Sequence, residues 1–156
     1  MMKKNELKML EYHIKQATHQ RTSVNKMVDE LKEGEAVVIM DFKENWRLPI
    51  SNREASRDYY DHQQISHFCV FVFKRDGDFI PMDCYNFFSH ILSHNFLFVQ
   101  ECLSQLSVLG TFDDVSSISF VSDTGPHFRN GMLLHFLFRN ANGSFMNKVI
   151  RYVFLY

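Results

Sequence analysis

Two apolar runs, each closed by an aspartate, restrict this chain more than any other feature. The first is EAVVIMDF, residues 35–42, ending at Asp41. The second is VSSISFVSD, residues 115–123, ending at Asp123. A strand with one face in water alternates apolar and polar residues, whereas a near-continuous apolar run suits a strand covered on both faces. Such strands belong to sheets flanked by helices. The runs therefore predict an α/β fold in which each aspartate stands at the carboxyl end of a central strand.

The rest of the chain supplies the other elements. Residues 6–32 carry Leu7, Leu10, Ile14, Ala17, Val24, Val28 and Leu31 at alternating spacings of three and four, with Arg21 interrupting the stripe. This predicts a helix that ends near Gly34, either docked on its own domain or meeting a partner. Residues 43–64 are polar and irregular, with Pro49, and read as a long loop or a partly extended surface segment. Residues 65–87 read as a hairpin, because two β-rich runs flank the Asp-Gly of RDGD. Residues 89–110 have near-helical spacing in Ile91, Leu92, Val99, Leu103 and Leu106. Residues 130–141 predict a short helix and residues 147–156 a final strand. The domain division expected is an N-terminal helix, 1–34, and a sheet domain, 35–156.

The predicted order is helix, strand, hairpin, helix, strand, helix, strand. That is the ribonuclease-H-like (RNase H-like) plan: a mixed sheet with flanking helices, here with an extra helix at the N-terminus. In that plan the first and fourth strands lie side by side and parallel. Open α/β sheets collect ligands at the carboxyl ends of such strands. Asp41 and Asp123 are thus expected to meet, and two converging carboxylates suit Mg²⁺ or Mn²⁺, hard cations that take oxygen ligands. Each aspartate alone has a plainer reading as a turn or N-cap residue.

Composition limits the alternatives. The 156 residues include 46% apolar side chains and 16 phenylalanines, which excludes a disordered chain. The formal net charge is -1, but no Asp or Glu follows Asp123, while Arg129, Arg139, Lys148 and Arg151 do. A basic end can meet phosphate; strands and helices short of acids for reasons of burial would look the same. Three cysteines without CxxC spacing argue against a disulfide framework or a structural zinc site. No stretch has signal-peptide character or the length to span a bilayer, so an intracellular protein, nuclear or cytoplasmic and without membrane contact, is expected.

VVIMDFKENW and, further on, ISFVSDTGPHFRN together resemble the catalytic core of DDE-type transposases, in a eukaryotic transposon-derived group. Asp41, Phe42, Glu44 and Asn45 match the first motif. Ser122, Asp123, Phe128 and Arg129 match the second, where Thr124, Gly125 and Pro126 depart slightly. The resemblance covers roughly residues 25–156 and implies magnesium-dependent DNA strand cleavage and transfer, with Asp41 and Asp123 as the first two catalytic, metal-binding acids. The third acid of such enzymes lies beyond the fifth strand, and this sequence stops at or just after that strand. A truncated core with impaired or absent catalysis is therefore expected, and a binding module reusing the fold is the alternative.

Around the acids, His127 and Arg129 are candidates to contact phosphate or orient water; the plainer roles are loop packing and helix initiation. Glu44 is a substitute ligand at most. His90 and His94, expected on one helical face, have the spacing of zinc ligands but lack a third. Asp58, Tyr59, Tyr60 and Asp61 mix charge with aromatic rings in the expected loop, a composition that can clamp single-stranded DNA. Trp46 and Phe42 are expected to pack beneath the first motif. DNA is the expected partner, with self-association or a protein partner through the N-terminal helix as the other possibility.

Overall fold

The computed structural model describes residues 4–48, 63–139, 145 and 147–155. Eight elements follow in order: α1 (Lys4–Asp29), β1 (Glu35–Leu48), β2 (Gln63–Lys74), β3 (Met82–Ser89), α2 (Phe96–Val108), β4 (Ser117–Asp123), α3 (Gly131–Arg139) and β5 (Val149–Leu155). The five strands form one mixed sheet in the order β3-β2-β1-β4-β5. β1 is antiparallel to β2 and parallel to β4; β2 and β3 are antiparallel; β4 and β5 are parallel. The expected α/β class, with a mixed sheet and three helices, is what the chain adopts.

The apolar runs are central for the reason their composition suggests. β1 presents Ala36, Val38 and Met40 to one face, and β4 presents Ile118 and Phe120; all are nearly inaccessible to water. Val99, Cys102, Leu103 and Leu106 of α2 and Leu133 and Leu137 of α3 close over them. Fully burying one such aliphatic or aromatic side chain stabilises by about 1.5–3 kcal/mol, so this layer is the main source of cohesion. The opposite face carries Val37 and Val121, covered by Leu31 and by Val24, Met27 and Val28 from the last turns of α1.

That cover is partial. Leu7, Leu10 and Ile14 are 49%, 53% and 58% exposed, so the apolar stripe of α1 docks only at its carboxyl end. The docked end is fastened by Arg75 at the β2–β3 turn. Its guanidinium donates to the carbonyls of Leu31, Asp29 and Gly77, while Glu33 accepts from the Gly77 N–H. These bonds satisfy carbonyls that a helix terminus leaves unpaired. The turn is the Asp-Gly hairpin expected from RDGD: Asp76 and Phe79 form its closing bridge. Gly77 takes φ 58°, in the first loop position, where a II′ turn favours glycine.

Some expectations are narrowed and others corrected. Of the two readings of residues 43–48 the extended one holds: after a register irregularity between Lys43 and Trp46, β1 continues and pairs Trp46 with Ile65 and Arg47 with Gln64. A charged stretch at a sheet's end needs only one covered face, so its polarity left both readings open. Of the rest of that segment, 63–64 open β2, and 49–62, with Asp58, Tyr59, Tyr60 and Asp61, lie outside the described residues. Residues 90–95 are not helical, because α2 starts at the N-cap Asn95, whose side chain accepts from the Phe98 N–H at 2.9 Å. Ile91 and Leu92 are accordingly exposed. His90 and His94 therefore share no helical face, and the zinc-like spacing has no structural counterpart.

Candidate functional site around Asp41 and Asp123

The β1–β4 register runs from Glu35 opposite Ser117 to Ile39 opposite Val121. The paired ladder stops there, two residues short of Asp41 and Asp123. Asp123 is the last residue of β4 as expected, but Asp41, expected at a strand end, is mid-strand, because β1 continues to Leu48 along β2. Both residues remain in their ladders, Asp41 against Cys69 on β2 and Asp123 against Leu155 on β5. Opposed residues in neighbouring strands point to the same side. Both carboxylates thus lie on the α1 face, in line with Ile39 and Val121, at the point where the strand order departs on either side. Both are partly exposed, with 42% and 59% of the side chain accessible.

Each carboxylate already has a partner. Lys43, two residues along β1 and hence on the same face, places its Nζ 2.6 Å from Asp41 Oδ2. That hydrogen bond, above all, raises the Lys43 pKa, against the opposing effect of partial burial. Asp123 Oδ1 accepts from the Gly125 N–H at 2.8 Å. This is the side-chain-to-backbone turn that makes aspartate common at strand ends.

His127 is the most confined group here. Its ring packs against Phe42, Phe128 and His94, and only 12% of its side chain is accessible. Its Nε2 is buried without a hydrogen-bond partner among the described residues, and lies 4.0 Å from Asp123 Oδ1, beyond hydrogen-bond reach. Burial lowers its pKa, and the attraction of Asp123 does not overcome this. The confinement depends on Gly125. A Cβ there would stand 2.5 Å from His127 Cε1, 2.8 Å from Nε2 and 3.0 Å from Asp123 Oδ1.

Of the sequence candidates, the sheet brings Asp41, Asp123 and His127 together. Arg129 is exposed and joins the turn through its backbone N–H, which donates to Gly125 O at 2.9 Å. Asn130, not Arg129, caps α3, accepting from the Met132 N–H. Glu44 is exposed beside the irregularity in β1. Phe42 packs as expected, on Phe68, Phe98 and Phe128, with His94 stacked on it at 4.1 Å. Trp46 does not pack beneath the motif: it is 54% exposed.

Sequence reasoning did not single out Lys43, nor the group around His67. Trp46 Nε1–H donates to His67 Nδ1 at 3.1 Å, and His67 Nε2 lies 2.8 Å from Asn86 Oδ1. An indole N–H only donates, so Nδ1 accepts and Nε2 carries the hydrogen. Cys69 Sγ, 3.1 Å from the same Nε2, thus faces a protonated nitrogen. Burial raises the Cys69 pKa, against the lowering effect of Lys43. This is a structural network and not a nucleophile with its base. Pairwise register was needed to see it, since the four residues come from three strands.

A test of the metal expectation follows from the donors. Carboxylate oxygens are the donors a hard cation takes. Among the described residues no group of three or more His, Cys, Asp and Glu is placed to hold a metal ion. The described residues thus offer two oxygen donors, not the three-acid set of a two-metal centre. A cleft of about 590 Å³ lined by Met27, Glu30, Ser119 and Arg151 lies at the amino ends of the strands, away from these groups. Among the described residues no helix is long and apolar enough to cross a membrane.

No curated protein and no solved structure matches the chain. A family model described as a domain of unknown function, DUF8701, matches residues 20–148, from the middle of α1 to the start of β5, and the chain belongs to that family.

Proposed function

We propose that the chain is an RNase H-like domain of DDE-transposase descent that binds a divalent cation and nucleic acid at Asp41 and Asp123. The observation that carries this reading is the parallel β1–β4 pair, flanked by an antiparallel β2–β3 hairpin on one side and parallel β5 on the other, with each acid two residues beyond the last paired residues, Ile39 and Val121. The motif resemblance around Asp41 and Asp123 is the second support, and it alone brings in DNA and transposition.

Asp41 and Asp123 would hold Mg²⁺ or Mn²⁺, which when bound supplies charge neutralisation for oxygens of a phosphodiester. His127 stands beside Asp123 as a neutral, confined ring, and Arg129 is exposed near enough in sequence to meet a phosphate arriving at the same end of the sheet. Strand cleavage needs a third acid in the resembling enzymes, and residues 124–156 contain none. The proposal for Asp41 and Asp123 is accordingly limited to holding the cation and nucleic acid.

The test is thermal melting of wild type and of the Asp41→Asn/Asp123→Asn double variant, with and without millimolar Mg²⁺ or Mn²⁺. A ligand at a hundred times its dissociation constant stabilises by about 2.7 kcal/mol, which moves Tm by a few degrees. The expected outcome is a metal-dependent rise in wild type that the double variant lacks. Equal curves for both would remove the metal site from the account.

A second reading, a protein-interaction module, is favoured by the exposed apolar residues along the first half of α1. It differs from the first in requiring no role for the acids.

A further inference from the structure

Asp41 carries a cation of its own. Lys43 lies two residues along β1 on the same face, its backbone still in register with His67. Its Nζ contacts Asp41 Oδ2 at 2.6 Å. The strand's register breaks immediately after Lys43. About half of each side chain is accessible, 46% for Lys43 and 42% for Asp41. A lysine placed so can swing into water without leaving a buried charge behind, so the pair is easily opened. The other polar groups on this patch, the His67–Asn86–Cys69 network, are bonded to one another.

We propose that Lys43 is the resident counter-cation of the acid pair and sets its affinity for a divalent ion, which binds at Asp41 only as the Lys43 ammonium leaves. The proposal rests on the reading of Asp41 and Asp123 as a cation site and adds the residue that regulates it. The physical basis is competition for one oxygen. An ion that coordinates Asp41 Oδ2 must first break the ion pair, and it then stands near a positive charge. An exposed ion pair is a small obstacle. Repulsion between a doubly charged ion and an ammonium a few ångströms away is the larger one even in water. Together they predict that removing the ammonium tightens metal binding by about tenfold. The same competition gives the site a preference: a monovalent cation gains too little at Asp41 to displace the lysine, whereas a divalent one does.

The experiment is a titration with Mn²⁺, read by calorimetry and by the loss of the free-ion electron paramagnetic resonance signal. It compares wild type, Lys43→Met, Lys43→Arg and Asp41→Asn. Lys43→Met should bind about tenfold more tightly than wild type, and Lys43→Arg, which keeps the charge, should stay within about threefold of it. Asp41→Asn should lose the binding that Lys43→Met strengthens. Equal affinity in wild type and Lys43→Met would overturn the role of Lys43 while leaving the acid pair as a metal site. Binding in neither would overturn both. Lys43→Gln repeats the comparison if the methionine variant fails to fold, as judged by circular dichroism.

Discussion

Gly125 shows how a single residue sets the geometry of the acid end. It lies between a carboxylate and an imidazole, and its own N–H bonds the carboxylate. Gly125→Ala adds a methyl group at 2.5 Å from His127 Cε1, closer than carbon atoms approach without displacement. Either the ring leaves its place against Phe42 or the turn opens. Overpacking of this kind costs about 1–3 kcal/mol, to be read from the midpoint of urea unfolding, with the His127 ring resonances shifting in the same variant. An unchanged midpoint together with unchanged His127 resonances would show that the ring is not held as described. The acids and His127 were legible in the sequence, because a charged or ring residue closing an apolar run is conspicuous. Lys43 was not, for it sits among Lys, Glu, Asn and Arg in a stretch that reads as loop or partly extended surface segment. Only its place on a strand aims it at Asp41.

The elements were legible where burial dictates pattern and illegible where it does not. β1 through Phe42, β2, β4 and α3 have apolar spacing imposed by two covered faces or one deep stripe, and they formed where expected. The outer part of β1 is polar because its far face meets water, so its pairing with β2 had no apolar signature. The start of α2 moved from Ser89 to Phe96 because the cap at Asn95 decides where the helix begins, and apolar spacing continues upstream of it regardless. The fastening of α1 by Arg75 belongs to the same class of feature, since it links residues distant in sequence. Arg75→Ala should free the end of α1 from the β2–β3 turn. Leaving those carbonyls with fewer partners costs about 1–3 kcal/mol. Amide exchange should rise at Val28–Leu31 while the β1–β4 pair keeps its protection; uniform exchange rates in wild type and variant would contradict the fastening.

For the whole molecule, the strand order follows from connection length. β2 and β3, joined by a tight hairpin, lie antiparallel on one side of β1. The helical crossovers through α2 and α3 deliver β4 and β5 in parallel on the other. The switch of direction falls between them, where β1 and β4 run parallel; Asp123 ends β4, whereas Asp41 lies midway along β1, which continues to Leu48. The α/β class with one mixed sheet was readable at this scale from element order alone, whereas partial cover of the second face was not, because the heptad spacing of α1 runs its full length and only its last turns meet the sheet. The central claim is the convergence of the two acids at one cation site. The measurement that tests it most directly is paramagnetic broadening of backbone amide resonances by trace Mn²⁺ in the full chain. The account predicts that the resonances of Asp41–Lys43 and Asp123–Gly125 vanish first and together, with Cys69, the neighbour of Asp41 across the sheet, close behind, and that Leu7–Ile14 and the end of α3 persist. Broadening that reached one strand end without the other, or that centred on other acids, would contradict it.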